Sequence, residues 1–84
     1  MRILGFYRKS GEYQGNQFDN YYLFLASPID QDGYGYQVDK VKCKSSIIKE
    51  FLSSNNISND KDLINIDVVI YFDKYRNLSF IGLK

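Results

Sequence analysis

Apolar and polar positions alternate with a period of two along most of this chain, and the period changes once. Arg2 to Arg8 alternates loosely and runs into Lys9-Ser10-Gly11, which predicts a first strand closed by a turn. The polar stretch Gly11-Glu12-Tyr13-Gln14-Gly15-Asn16-Gln17 carries two glycines and predicts a loop or flexible hairpin tip that presents Tyr13. Phe18 to Ala26, rich in Tyr, Leu and Phe, predicts a second strand. The segment Ser27 to Gly33, with the only proline at Pro28, breaks it. Tyr34 to Lys44 alternates clearly and predicts a third strand, paired with the second as an antiparallel hairpin.

The period changes at Ser45. Ile47, Ile48, Phe51 and Leu52 fall at i, i+1, i+4 and i+5, one apolar stripe on a helix of about ten residues. Ser45 or Ser46 is expected to cap its first N–H groups. Ser53, Ser54, Asn55 and Asn56 prefer local turns and end it. A polar connection, Ser58 to Asp62, leads to a fourth strand over Ile64 to Phe72. Asp73 to Asn77 then forms a hairpin turn presenting Lys74, Tyr75 and Arg76, and Leu78 to Leu83 is the closing strand. The expectation is a mostly β chain of order β-β-β-α-β-β. It makes one OB-like domain over residues 1–84, a five-stranded barrel with one short helix between strands three and four.

Successive side chains of a strand point to opposite faces, so the third strand divides in two. One face carries Tyr34, Tyr36, Val38, Lys40, Lys42 and Lys44; the other carries Gly35, Gln37, Asp39, Val41 and Cys43. Three lysines cannot be buried unpaired, so the lysine face points outward and Val41 and Cys43 point inward. In the second strand Asp19, Tyr21, Leu23 and Leu25 share the inward face. Tyr22 and Phe24 on the other would extend an aromatic platform, although Phe24 suits the core equally. Tyrosines beside lysines can stack bases while the ammonium groups follow phosphates. The same stripe also fits a solvated strand face or a protein interface.

Composition narrows the choice. A chain of 84 residues with 44% hydrophobic and 17% aromatic residues folds rather than staying disordered, yet it has little sequence to spare for a deep cleft. The net charge is only +1, so any electrostatic footprint must come from local segregation of charge. Cys43 is the single cysteine, which excludes an internal disulfide and reads as a buried structural thiol. With no histidine there is no imidazole acid–base pair and no credible zinc site. The carboxylates are scattered, and the glycines fit neither a phosphate-cradling loop nor a dinucleotide fingerprint. No enzyme, catalytic residue, metal or cofactor is expected. No apolar run approaches the ~18 residues of a membrane span, and the start carries no signal-peptide core, so a cytoplasmic protein without a membrane partner is expected.

The chain resembles the small single-stranded-DNA-binding proteins of filamentous phages, the gene V type, and similar proteins of mobile elements. The likeness lies in a Gly-rich polar loop, Gly11 to Asn16, ahead of Phe18-Asp19-Asn20-Tyr21-Tyr22-Leu23. It continues in Gly35-Tyr36-Gln37-Val38-Asp39-Lys40-Val41-Lys42 and in the closing run Ile66 to Phe80. The resemblance implies an OB-like barrel, a homodimer and the coating of single strands during replication of a phage or mobile element. The helix at Ser46 to Ser53 departs from that pattern. The expected function is sequence-tolerant binding of single-stranded nucleic acid, DNA before RNA. Tyr13, Tyr22, Tyr34, Tyr36 and Tyr75 would stack, while Arg8, Lys9, Lys40, Lys42, Lys74 and Arg76 would contact phosphates. The alternative is a small β-rich protein-interaction module, with the same tyrosines as anchors.

Overall fold

The computed structural model describes residues 1–30 and 32–84; Gln31, inside the predicted Ser27–Gly33 turn, lies outside the described residues. The elements are β1 (Arg2–Tyr13), β2 (Asn16–Pro28), β3 (Tyr36–Lys44), α1 (Ser45–Ser54), a 3-10 turn (Asp60–Leu63), β4 (Val68–Phe72) and β5 (Leu78–Leu83).

The first hairpin is longer than its composition predicts. Gln14 and Gly15 both take positive φ, 50° and 81°, which suits a two-residue turn whose twist matches that of the flanking strands. The polar residues on either side are thereby drawn into the ladder, with Tyr13 opposite Asn16, Gly11 opposite Phe18 and Tyr7 opposite Tyr22. Of the two expectations for Gly11 to Gln17, loop or hairpin tip, the hairpin holds, with its turn confined to Gln14-Gly15 and strand on either side. The register slips once, between Ile3 and Gly5, so that Ile3 meets Leu25. β3 pairs along the other edge of β2, from Lys44 opposite Asn20 to Tyr36 opposite Pro28. Tyr34, predicted to open this strand, lies before it. Gly35 intervenes at φ 89°, a conformation without steric cost only for glycine.

α1 begins at the residue after β3, with extended Lys44 as its N-cap. Ser45 and Ser46 are its first helical residues, not caps, because the strand runs straight into the helix and leaves them no non-helical position. Among the described residues no side chain caps this end. Ile48 and Phe51 are buried, and Ile47 and Leu52 pack beside them, as the apolar stripe predicts. Asn55 N–H and its side-chain Nδ2 both donate to the Phe51 carbonyl, and Asn56 turns out of the helix at φ 56°.

The predicted fourth strand is shortened from its beginning. Asn59 Oδ1 accepts the Lys61 N–H and starts the 3-10 turn, and Asn65 at φ 69° reverses the chain. Residues 65–68 then run beside the start of β1: Asn65 N–H donates to Ile3 O at 2.7 Å, and Val68 N–H donates to Met1 O at 2.7 Å. The described residues form a mostly β fold of five strands in two antiparallel sheets, β1-β2-β3 and β4-β5, with one α-helix. The barrel is not closed. Only the second half of β3 turns apolar side chains inward: Cys43 is buried and Val41 packs on the core, but Gln37 and Asp39 stay exposed. Its first half therefore has nothing to bury against a closing partner. The core joins both sheets and the helix through Ile3, Leu23, Leu25, Cys43, Ile48, Leu63 and Val68.

Candidate nucleic-acid interface

Register and alternation together decide which side chains share the outer face of β1-β2-β3. Tyr21, Leu23 and Leu25 are buried beneath the sheet, so their neighbours Asn20, Tyr22 and Phe24 point away from the core. Residues directly paired across strands share a face, which adds Tyr7, Lys9 and Tyr13 from β1 and Tyr36, Val38, Lys40, Lys42 and Lys44 from β3. The aromatic and lysine positions of all three strands therefore lie on one surface.

At its centre the Tyr7 and Tyr22 rings stack with centroids 4.8 Å apart and planes 17° from parallel. Phe24 leans against Tyr7 at 6.1 Å. The Lys40 ammonium lies 5.5 Å from the Tyr7 ring centre and 5.4 Å from that of Tyr22, a cation over two π-faces. Tyr7 keeps 41% of its surface exposed, leaving ring area for another planar group. Lys9, Lys42 and Lys44 surround this cluster, all exposed. Among the described residues the side-chain ion pairs are Arg2–Asp67 and Arg8–Asp19, so the lysines of this face keep their charge unpaired.

Tyr36 belongs to the same face but lies further along it. It pairs with Pro28, six positions from the Tyr22–Lys42 pair, or about 20 Å of strand. Tyr13 stands at the opposite end, 69% exposed beside the turn.

Five of the predicted positions, Arg8, Tyr34, Lys74, Tyr75 and Arg76, do not belong to this face. Arg8 alternates onto the core-facing side, where its guanidinium grips both oxygens of the Asp19 carboxylate and lies 5.5 Å from the Tyr21 ring centre. Arg8, and after it the Ser45 hydroxyl, hold the Asp19 carboxyl far below the usual carboxylate range. Arg8 is thus engaged in holding the hairpin, because a strand places adjacent cations on opposite faces. Tyr34, 96% exposed and outside β3, has no element to orient it. Lys74, Tyr75 and Arg76 sit on the β4–β5 turn, where Asp73 accepts the N–H groups of Tyr75 and Asn77 at 2.8 and 2.9 Å. Lys74 lies 5.1 Å from the Tyr75 ring centre.

The turn is not remote from the outer face. A groove of ≈ 830 Å³ runs between the lysine end of β3, the start of α1 and the base of the β4–β5 turn. It is lined by Lys42, Lys44, Ser45, Lys49, Asp73 and Asn77, among others.

No family model, curated protein or solved structure matches this chain. Geometry alone carries the reading of the face.

Sequence reasoning placed Tyr22, Tyr36, Lys40 and Lys42 on an outer face and set Lys9 at the approach to a loop, whereas the register puts Lys9 on the same face; Tyr7 and Lys49 were not among its candidate residues. The signal for Tyr7 was present in Gln14-Gly15. Counting outward from a two-residue turn at that pair sets Tyr7 opposite Tyr22. Lys49 carried no such signal, since only the packing of α1 turns it toward the groove. Cys43 is buried beneath the sheet, and burial pushes its thiol up to about 11, the opposite of what a nucleophile needs.

Proposed function

We propose that this protein binds single-stranded nucleic acid, DNA before RNA, on the outer face of β1-β2-β3 with little dependence on sequence. The observation that carries the reading is the Lys40 ammonium poised over the stacked Tyr7–Tyr22 pair. An exposed ring offers a π-face to any base, and each such stack contributes roughly 1–3 kcal/mol. Lys9, Lys40, Lys42 and Lys44 share the face with the rings and supply cations for the phosphates of a strand stacked there. Two features support an open OB-like arrangement behind this face. The start of β1 is stitched to residues 65–68, and the helix falls between β3 and β4. The resemblance to the gene V type points the same way.

The test is the anisotropy of a labelled oligo-dT mixed with the protein at about 50 and 200 mM salt. Saturable binding that weakens strongly at the higher salt supports the proposal. Folded protein that binds at neither salt overturns it.

A further inference from the structure

Gly5 stands inside β1 with no local reason for being glycine. Its φ lies outside the left-handed region that Gly15 and Gly35 occupy. Beyond its chain neighbours no atom comes within 4 Å of where a Cβ would stand, so crowding does not exclude a side chain. Glycine weakens a strand interior, and where neither turn nor contact requires it, it leaves room for something to approach the backbone. Gly5 pairs with Phe24, and Phe24 with Lys40. The bare backbone therefore opens onto the outer face beside the stacked Tyr7 and Tyr22 rings.

A second observation lies one row further along that face, about 7 Å away along the strand. Ala26 pairs there with Val38, and Leu4, left without a partner by the register slip, stands beside them. Together with Pro28 and Tyr36 they line a hollow of ≈ 390 Å³, within the roughly 300–1,000 Å³ of sites that hold small molecules. Leu4 and Val38 are exposed, and Tyr36 keeps most of its ring free. At the rim the Arg2 guanidinium and the Asp67 carboxylate neutralise each other, and Lys84 stands at the edge. An apolar floor with an aromatic wall suits a flat, uncharged ring, while a phosphate would lose its hydration there for little return. By themselves the exposed parts of Leu4, Val38 and Tyr36 fall well short of the roughly 800 Å² that each partner gives to a stable protein interface.

We infer that this hollow seats one base of the bound strand, against Tyr36 and over Leu4, Ala26 and Val38. The strand reaches it from the Tyr7–Tyr22 pair across the open Gly5 row, where Lys40 meets its phosphate. The inference rests on the nucleic-acid reading above and gives the strand a path along β3, from the lysine end toward Tyr36.

The test combines amide NMR of the full chain with oligo-dT titrations of two variants. Oligo-dT is expected to move the Leu4, Val38 and Tyr36 resonances together with those of Tyr7 and Tyr22. In Gly5→Val a β-branched side chain fills the open row. It suits a strand, so the urea midpoint should hold or rise, while oligo-dT binding should weaken at least about fivefold, the equivalent of one lost stack. Tyr36→Ala, at an exposed position, should weaken binding to a similar extent, and Tyr36→Phe, which keeps the ring, should restore it. Shifts at Tyr7 and Tyr22 with none at Leu4, Val38 and Tyr36 overturn the seat and leave the platform standing. So does wild-type affinity in folded Gly5→Val. Failure of the unaltered protein to bind oligo-dT at either salt overturns seat and platform together. Shifts at Leu4, Val38 and Tyr36 that follow protein concentration without any oligonucleotide assign the hollow to a second copy of the chain and overturn the base.

Discussion

Adjacent residues with similar side chains have different fates in this protein because a strand sends them to opposite faces. Arg8 and Lys9 are both cations, yet Arg8 is clamped to Asp19 over Tyr21 whereas Lys9 stands free on the outer face. Tyr22 and Tyr34 are both tyrosines, yet only Tyr22 is held in a stack. Replacing Tyr22 with Ala should cost about 1–3 kcal/mol of oligonucleotide affinity, while Tyr34→Ala should leave the same titration unchanged. The Arg8–Asp19 pair has a pH signature. The Asp19 carboxyl is lowered in the folded protein, chiefly by Arg8, so its contribution is complete above its unfolded value of about 4. That contribution fades as pH falls through the depressed range. Urea midpoints should therefore decline below about pH 4, and less steeply in Asp19→Asn. The effect should be modest, since the pair is open to solvent. Cys43 shows the opposite sign. Its thiol is raised to about 11 in the folded state, so stability is complete below the unfolded value of about 8.5 and declines above it. A thiol reagent at neutral pH should leave Cys43 unmodified until denaturant is added.

At the scale of the element, the β1–β2 hairpin decides the site. A helix or a strand can be read from its own periodicity, and the α1 stripe and the two faces of β3 were legible in that way. Which residues meet across two strands depends on the turn, where a slip of one position would send Tyr7 to the core face. Gly15 at φ 81° holds that turn, and a side chain there meets the left-handed penalty of roughly 1–2 kcal/mol. Gly15→Ala should lower the urea stability by about that amount and weaken oligonucleotide binding, because the Tyr7–Tyr22 pair depends on the register that the turn sets. The polar composition of Gly11 to Gln17 hid how far the two strands run into this hairpin. Local polarity reports solvent exposure, and both strands of the projecting hairpin are exposed there. The opposite error befell Ile64 to Asp67, whose apolar residues suggested strand. Leu63 fills the core from a 3-10 turn instead, and Asn65 reverses the chain.

Over the whole molecule a net charge of +1 conceals a division of labour. Free lysines collect on the outer face and round the groove, while Asp19 and Asp67 are neutralised by Arg8 and Arg2. If four lysines of that face contact phosphates, the salt slope on a single strand should be near −2.8, or roughly 50-fold weaker binding between 50 and 200 mM. Measured affinities over that range check the number directly, and a slope near zero would remove the lysines from the interface.

The alternation of residues by itself determined which face of β2 and β3 is buried, where the helix lies and which of the residues in those three elements fill the core. Each of these follows from the preference of apolar side chains for the same side of one local element. Tertiary structure alone decided the rest: the pairing of Tyr7 with Tyr22, the capture of Arg8 by Asp19, the unclosed barrel and the groove at the start of α1. Those features join residues remote in sequence, and their geometry depends on register, turn conformation and the docking of one element on another. Periodicity along a single strand carries no information about any of them.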